Sequence, residues 1–249
     1  MSSYRMEMLW EAMQMLVKNP RGFMQTFQRV FQPMREDYRK RLDMTLREWL
    51  IYHQTNIVFD KCYWMGTKAL KNPFDAWIYQ EIIYEVRPDI IIEIGSAEGG
   101  STLYFANLLD ILGKGQVISV DIDRTSYNVK HDRIIVVTGD CSSQEVSGKV
   151  SQLCQGKRVL LIHDGDHRKE AVLRDLAIYS KLVSTGSYLI VEDGVVDLFK
   201  PGDGMGQLYE GPLKAVDEFI ASNGNFVVDM NRERYLLTYN PRGFLKRIR

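Results

Sequence analysis

Apolar residues in the first part of the chain recur at steps of three and four, the spacing that places side chains on one face of a helix. Pro20 separates two such stretches, and Pro33 follows the second. We therefore predict a helical segment over residues 1–75, which covers the core or serves as a subunit interface or a substrate lid. The apolar positions are Met6, Leu9, Trp10, Met13 and Leu16, then Phe23, Phe27, Val30 and Phe31.

From Asp75 onward, short continuous apolar runs alternate with helical stretches. Such runs are typical of strands buried on both faces, and their alternation with helices favours a mostly parallel, doubly wound sheet. The prediction is an α/β fold with a Rossmann-like sheet over 76–249. The predicted helices run from an Asp75 cap through Val86 and over 103–112, 143–155 and 168–183. The predicted strands are 89–94, 116–121, 133–138, 158–163 and 187–192, followed by Phe226–Met230 and Arg234–Tyr239.

Composition and charge limit the classes of function. Lys plus Arg and Asp plus Glu both number 32, so no net charge attracts a nucleic acid. No apolar run approaches the ~20 residues of a membrane-spanning helix. Glu7 and Glu11 and the lack of a small-residue cleavage site argue against a secretory signal. The cysteines form no Cys-x-x-Cys pair and suggest no disulfide framework, so we expect a cytoplasmic protein.

A glycine-rich turn follows the first strand of the predicted sheet. In open α/β sheets, ligands bind beyond the carboxyl ends of the strands. Ser96 and Ala97 displace the second glycine of the Gly-x-Gly-x-x-Gly pattern that binds dinucleotides. A carboxylate at Glu93 would repel a pyrophosphate but suits a cationic amino-acid cofactor. The residues of this turn predicted to bind the cofactor are Glu93, Gly95, Ser96, Gly99 and Ser101.

Two further strand ends carry polar residues. Asp121 ends the second strand, where an acidic residue commonly accepts both hydroxyls of an adenosine ribose. NAD and S-adenosylmethionine share that ribose, so Asp121 does not separate them. The third strand leads to Asp140 and Ser142, which we predict at the adenine edge. A purely structural role for Asp140 is equally open.

Carboxylates cluster after the fourth and fifth strands. Asp164 follows one strand, and Glu192 and Asp193 follow the other. Three carboxylates in one crevice repel one another unless a cation lies among them, and oxygen ligands favour Mg²⁺. Such an ion lowers the pKa of a substrate hydroxyl. His167, three residues past Asp164, is a suitable base near pH 7 as a neutral imidazole.

Other interpretations of this cluster stay open. Asp166 or His167 could cap the helix that follows, and Glu192–Asp193 could be a solvated turn. A non-haem iron site is disfavoured, because His163 and Asp164 are adjacent in a strand and point to opposite faces.

These motifs, in this order, resemble the family named for cephalosporin hydroxylases, which includes rhamnosyl O-methyltransferases. The resemblance extends from about Trp64 to Arg247. The motifs that carry it are WMG (64–66), KNPFDAWIYQE (71–81), EIGSAEGGS (93–101), VDID (120–123), GDCSS (139–143), HDGDH (163–167), VEDG (191–194) and LLTYNPRGFLKR (236–247).

The resemblance implies a class I methyltransferase fold with S-adenosylmethionine and Mg²⁺ as cofactors. It implies Asp164, Glu192 and Asp193 as metal ligands and His167 as the base. Asp166 stands where a small residue is expected. Its carboxylate could orient His167, compete with it as the base or add a metal ligand.

The predicted function is methyl transfer to a hydroxyl held by Mg²⁺, on a sugar, a glycosylated natural product or a glycolipid. The enzyme is expected to form a homo-oligomer. One alternative is an oxygenase, suggested by the family's name. Another is a non-catalytic partner protein, against which the intact acidic cluster argues. An NAD-linked oxidoreductase is disfavoured by Glu93 and the missing second glycine.

Overall fold

The chain enters the described part of the fold through a short helical region. A computed structural model describes residues 42–199, 203 and 210–249. Helix α1 (Leu46–His53) begins at a capping box, in which Thr45 pairs with Glu48. A π-helical turn, Gln54–Val58, continues it, and α2 (Phe59–Lys61) follows. The apolar stripes predicted between residues 6 and 31 lie outside the described residues.

A short hairpin leads into the helix that precedes the sheet. It pairs β1 (Tyr63–Trp64) with β2 (Thr67–Lys68), and α3 (Pro73–Val86) follows. The prediction that Asp75 caps α3 is wrong. Asn72 is the cap, because its side chain accepts a hydrogen bond from the backbone two residues further on. Asp75 lies in the first turn of α3 and is buried.

A seven-stranded sheet forms the centre of the described fold. Its strands are β3 (Ile90–Ile94), β4 (Gln116–Asp121), β5 (Ile134–Thr138), β6 (Val159–His163), β7 (Tyr188–Val191), β8 (Phe226–Val228) and β9 (Phe244–Arg247). They lie in the order β5-β4-β3-β6-β7-β9-β8. Strands β3 to β7 pair in parallel, and β9 pairs antiparallel with both β7 and β8. The predicted doubly wound α/β fold is confirmed.

Helices connect the parallel strands and cover the sheet. They are α4 (Gly100–Leu112), α5 (Gln144–Leu153), α6 (Lys169–Tyr179) and α7 (Pro212–Ser222). The predicted helix over 168–183 ends early, because a 3₁₀ turn takes over at Ser180–Leu182. Within the described ranges, we find no helix with the length and apolar character needed to cross a bilayer.

The sheet separates two apolar layers. On one face, Ile92 and Leu161 pack with Leu176 of α6. On the other face, Ile91 packs with Phe105 of α4. Adjacent strand residues point to opposite faces, so a continuous apolar run fills both layers at once. This packing holds the carboxyl ends of the strands at one edge.

The prediction of the last two strands is half wrong. Strand β8 begins at Phe226 as predicted, but no strand forms at Arg234–Tyr239. A 3₁₀ turn at Met230–Glu233 ends the extended chain. Beyond it, buried Asp75 accepts hydrogen bonds from the Thr238 hydroxyl at 2.6 Å and the Tyr239 amide at 2.8 Å. These bonds hold the backbone at Thr238 and Tyr239 beside α3. Strand β9, not Arg234–Tyr239, forms the last-but-one strand of the sheet.

Candidate active site

A cavity of about 550 Å³ opens at the carboxyl ends of the parallel strands. Ligands bind at this edge in open α/β sheets. Nine of the predicted site residues line it: Gly95, Ser96, Ser101, Asp121, Asp140, Asp164, Asp166, His167 and Asp193. The other four, Glu93, Gly99, Ser142 and Glu192, do not line it.

Gly95 brings the turn after β3 against the end of β6. Its φ is +83°, in the left-handed region that glycine tolerates. A Cβ here would lie only 1.9 Å from the backbone oxygen of Asp164. The Asp164 amide in turn donates to the Ile94 carbonyl at 2.8 Å. The glycine turn and the first carboxylate of the acidic cluster are therefore in direct contact.

Asp121, at the end of β4, holds the glycine turn from the side. Its Oδ2 accepts hydrogen bonds from the amides of Ser96 at 2.8 Å and Ala97 at 2.9 Å. Its Oδ1 accepts from the Asp123 amide at 3.1 Å. Asp121 thus shapes the turn and also lines the cavity. The predicted ribose contact would use a carboxylate that the backbone has already oriented.

Glu93 lies beneath the turn and is fully buried. The Thr102 hydroxyl donates to its Oε2, while Oε1 has no hydrogen-bond partner in the described structure. Burial raises the pKa of Glu93, and the ammonium of Lys71 opposes that rise. Because Glu93 is buried and does not line the cavity, its carboxylate would influence a bound cofactor electrostatically and not by direct contact.

The remaining predicted cofactor residues form turns. Asp140 lines the cavity, and its Oδ1 accepts from the amide and the hydroxyl of Ser142, both at 2.8 Å. Gly99 is the N-cap of α4 with a φ of +92°. A Cβ there would lie 2.6 Å from the ring of Tyr127. Ser142 and Gly99 therefore belong to turns near the cavity without lining it.

Asp164, His167 and Asp193 converge in the same cavity. One ligand atom from each lies within 4.8 Å of the others. Nε2 of His167 is 3.3 Å from Oδ2 of Asp193 and 3.6 Å from Oδ1 of Asp164. Asp193 has a left-handed φ of 58°, and its amide donates to Oδ1 of Asn240 at 3.0 Å. The ends of β6 and β7 meet here as the sequence indicates.

Glu192 is not part of this converging group and pairs with a buried lysine. Nζ of Lys71 donates to Oε2 of Glu192 at 2.9 Å and also to Oδ2 of Asp164. Only 6% of the Lys71 surface is exposed. Lys71 belongs to the KNPFDAW motif, but the sequence assigns it no role. Its partners lie 93 and 121 positions further along the chain, beyond the reach of local spacing.

Asp166 is held by Arg168. Its Oδ1 accepts from the Arg168 amide at 2.9 Å, and its carboxylate pairs with the guanidinium. This pairing lowers the pKa of Asp166 to about 2. A carboxylate of that acidity is a weak base, which disfavours competition with His167 for a proton. The N-cap of α6 is Arg168, with no side-chain capping bond, so neither Asp166 nor His167 caps this helix.

Comparison with known proteins identifies the family. Residues 56–248 match the family described as rhamnosyl O-methyltransferase/CmcI. The chain belongs to this family. A rhamnosyl O-methyltransferase of Mycobacterium leprae (strain TN) is 30% identical over 213 residues, which cover 82% of this chain and 91% of that protein. A rhamnosyl O-methyltransferase of Mycobacterium bovis (strain BCG / Pasteur 1173P2) is 30% identical over 214 residues, 82% of this chain and 86% of that protein.

Solved structures of CmcI share the fold. The structure described as CmcI-N160 apo has a TM-score of 0.59 at 21% identity and covers 88% of this chain and 87% of its own. The structure described as cmcI-D160 Mg-SAM has a TM-score of 0.57 at 20% identity and covers 88% of each chain. The predicted class I methyltransferase fold is confirmed. The family also confirms the predicted enzyme class, a S-adenosylmethionine-dependent O-methyltransferase.

The charges around His167 decide its protonation. Burial would lower its pKa, but the carboxylates of Asp164 and Asp193 outweigh burial and raise the pKa to about 10. When Asp164 and Asp193 are its only charged neighbours, the imidazole of His167 therefore carries a second proton at neutral pH. The neutral base that the sequence predicts requires another positive charge next to Asp164 and Asp193.

The acidic cluster fits a divalent cation. Its carboxylates supply the oxygen atoms that hard cations prefer. Oε1 of Glu192 is buried without a hydrogen-bond partner in the described part of the chain. Buried polar atoms are normally paired, so this oxygen is available to a ligand.

Five cavity residues come from segments before the sheet: Gln54, Phe59, Lys68, Leu70 and Lys71. Gln54 is 6% exposed, and its Oε1 makes no hydrogen bond within the described structure. It begins the π-helical turn, a feature frequent at functional sites. Helical periodicity does not reveal a π turn, so the sequence offers no signal for Gln54. In this wall Phe59 and Leu70 are apolar, Lys68 and Lys71 are cationic, and Gln54 has one unpaired amide oxygen.

Proposed function

We propose that this chain transfers the methyl group of S-adenosylmethionine to a hydroxyl of a sugar or glycosylated natural product, assisted by Mg²⁺. One observation carries the proposal. Asp164, His167 and Asp193 converge in the cavity that the glycine turn also lines. The rhamnosyl O-methyltransferases among the relatives support a sugar hydroxyl as the acceptor.

The cofactor would be held at the ends of β3, β4 and β5. Gly95 and Ser96 would let the cofactor approach the backbone closely, and Asp121, which lines the cavity, would accept the ribose hydroxyls. Asp140 lines the wall on which we place the adenine. S-adenosylmethionine supplies a reactive methyl group on a sulfonium, so orientation of the acceptor oxygen accounts for much of the rate. Buried Glu93 adds a negative charge that favours a cationic cofactor.

Asp164 and Asp193 would hold the divalent cation, with Glu192 contributing its unpaired Oε1. Bound there, Mg²⁺ lowers the pKa of a substrate hydroxyl. The protein's own contribution is to keep the carboxylates in place. The contact with Gly95 fixes the backbone of Asp164, and Asn240 fixes that of Asp193.

His167 would take the proton of the acceptor hydroxyl at Nε2. Its neighbours Asp164 and Asp193 raise its pKa to about 10, so Nε2 keeps its proton while they act alone. A positive charge shared with these carboxylates weakens their hold on the imidazolium and lowers that pKa. Nε2 is then able to accept the hydroxyl proton.

Three sequence predictions accompany this proposal and stay predictions. The first is a helical cap over residues 1–75. Its predicted end, at residue 75, lies in the first turn of α3. Gln54 and Phe59 line the cavity from this side, which supports a role in substrate binding. The others are a homo-oligomer and a cytoplasmic location.

Mass spectrometry of rhamnosylated and other glycosylated acceptors, incubated with S-adenosylmethionine and Mg²⁺, tests the reaction. We expect a product with one added methyl group and no product in the presence of a chelator. His167→Ala and Asp164→Asn should each lower kcat by about a hundredfold or more. Calorimetry should show that both variants still bind S-adenosylmethionine.

His131→Ala is the matched control, because His131 lies beside Asp110, away from the cavity lining. It should retain normal turnover. Full activity of Asp164→Asn, or undiminished activity in chelator, would remove the cation from the mechanism.

A further inference from the structure

Lys71 lies between the carboxylates that end β6 and β7. Its Nζ donates to Oδ2 of Asp164 and to Oε2 of Glu192, the latter at 2.9 Å. A buried ammonium is costly unless it is paired. Both partners belong to the carboxylates proposed above to hold the divalent cation.

The backbone before α3 is fixed independently of these ion pairs. The Lys71 amide donates to the Ala69 carbonyl at 2.9 Å, and the Cys62 thiol donates to the Lys71 carbonyl at 3.4 Å. The next residue, Asn72, caps α3. The fold therefore delivers the lysine side chain to the carboxylates.

Each carboxylate gives one oxygen to the lysine and keeps the other available. Oδ1 of Asp164 faces Nε2 of His167 at 3.6 Å, while Oδ2 contacts Lys71. Oε1 of Glu192 is buried without a partner in the described structure, while Oε2 contacts Lys71. Asp164 can thus contact the lysine and a divalent cation through different oxygens, and Glu192 keeps one oxygen that the lysine does not use.

We propose that Lys71 is a positioning residue that stays paired with Asp164 and Glu192 and sets the charge of the cation site. With His167 neutral, the ionised carboxylates of Asp164, Glu192 and Asp193 contribute three negative charges and Lys71 one positive charge, which leaves a net charge of minus two. One divalent cation neutralises this set. The inference rests on the proposed function only in taking these carboxylates as the ligands of the cation.

Removal of the lysine charge has two consequences. The carboxylates become more negative and attract a divalent cation more strongly. In the absence of that cation, their mutual repulsion is no longer balanced, so the fold is destabilised. The lysine therefore weakens cation binding while it keeps the cation-free site intact.

Titration with Mn²⁺, followed by electron paramagnetic resonance of the free ion, tests this role without an activity assay. Lys71→Met keeps the apolar side chain and removes the charge. We expect its Kd for Mn²⁺ to fall by on the order of tenfold relative to the wild type. Its Tm in chelator should be lower than that of the wild type, and added Mn²⁺ should restore it.

Lys114→Met is the matched control. Lys114 pairs with Asp89 at 2.7 Å, at the amino ends of the strands. The Lys114→Met substitution removes the same charge far from the cavity. This variant should bind Mn²⁺ like the wild type. Equal or weaker binding by Lys71→Met, with Mn²⁺ bound by the wild type, overturns the role of the lysine and leaves the proposed function standing.

Two more variants keep the test decisive where Lys71→Met does not fold in chelator. Lys71→Gln, which is neutral, should bind Mn²⁺ more tightly than the wild type, and Lys71→Arg should bind like the wild type. The opposite order overturns the inference. Failure of the wild type and all variants to bind Mn²⁺ would remove the cation site itself, and with it the metal of the proposed function.

Discussion

The absence of a side chain at Gly95 lets the turn after β3 lie against the end of β6. A Cβ would meet the backbone oxygen of Asp164 at 1.9 Å, and the φ of +83° adds strain for any other residue. Gly95→Ala should therefore displace Asp164. We expect the free energy of unfolding to fall by about 3 kcal/mol and the affinity for S-adenosylmethionine to drop. Urea denaturation and calorimetry measure the two effects.

Gly113→Ala separates backbone strain from steric contact. Gly113 has a similar φ of +73°, but a Cβ there meets nothing within 4 Å. This substitution should cost about 1 kcal/mol and leave cofactor binding unchanged. Comparable losses in the two variants would show that the contact with Asp164 is unimportant.

His53 makes stability depend on pH. Burial lowers its pKa to about 4, against 6.5 in an unfolded chain. As the pH falls below 6.5, the unfolded state takes up a proton that the folded state refuses until about pH 4. The contribution of His53 to the free energy of unfolding should therefore decrease as the pH drops from 7 to 4. Urea denaturation at both pH values should show a smaller decrease for His53→Gln.

Tyr239→Phe tests the cause of that pKa shift. The Tyr239 hydroxyl lies 2.6 Å from Nδ1 of His53, but burial alone accounts for the lowered pKa. The variant should therefore keep the pH dependence of the wild type. Loss of the dependence in Tyr239→Phe would assign the shift to the hydrogen bond instead.

The residues of the site differ in how far sequence could predict them. Asp121, Asp164 and Asp193 follow apolar runs directly, and the end of a buried parallel strand fixes which edge they occupy. Lys71 and Gln54 reach the cavity from segments before the sheet. Their positions depend on how those segments pack, which no local pattern encodes.

At the scale of elements, the loop before β9 connects α3 to the acidic cluster. Oδ1 of Asn240 accepts from the Asp193 amide at 3.0 Å, and its Nδ2 donates to the Tyr79 hydroxyl at 2.7 Å. Asn240→Ala leaves both buried groups without these partners. We expect a loss of about 2 kcal/mol in the free energy of unfolding. Binding of Mn²⁺ should also weaken, because the left-handed backbone of Asp193 loses its support.

Asn223→Ala is the control for this loss. Asn223 accepts from the Asn225 amide at 3.0 Å at the end of α7, away from the cavity. It should change stability by about 0.5 kcal/mol or less and leave Mn²⁺ binding intact. An Asn240→Ala variant that binds Mn²⁺ normally would limit this loop to a structural role.

The loop before β9 is also the region where the predicted secondary structure is wrong. The run Arg234–Tyr239 has the apolar character of a strand, and local pattern alone favours extended pairing. Its actual partner is Asp75, 163 and 164 positions earlier in the chain. The five parallel strands were predictable because burial on both faces leaves a continuous apolar run, whereas a loop held by one distant carboxylate leaves no such signature.

At the scale of the whole molecule, alternation of strands and helices predicts the fold class but not the order of the last strands. Strand β9 lies between β7 and β8, antiparallel to both. That order places the loop with Asn240 directly beside Asp193. The C-terminal strands thus support the acidic cluster, a connection that becomes visible only in the assembled sheet.

The cavity joins a cofactor region and a cation region that should act separately in binding. A ligand that binds only the folded state stabilises it by mass action, by about 2.7 kcal/mol at a hundredfold excess over its Kd. S-adenosylmethionine and Mg²⁺ should therefore each raise the Tm in differential scanning fluorimetry. Asp164→Asn should lose the shift with Mg²⁺ and keep the shift with S-adenosylmethionine, and Asp121→Asn should show the reverse. If either variant loses both shifts, the contact between Gly95 and Asp164 couples the two regions, and the separate roles given to their residues do not hold.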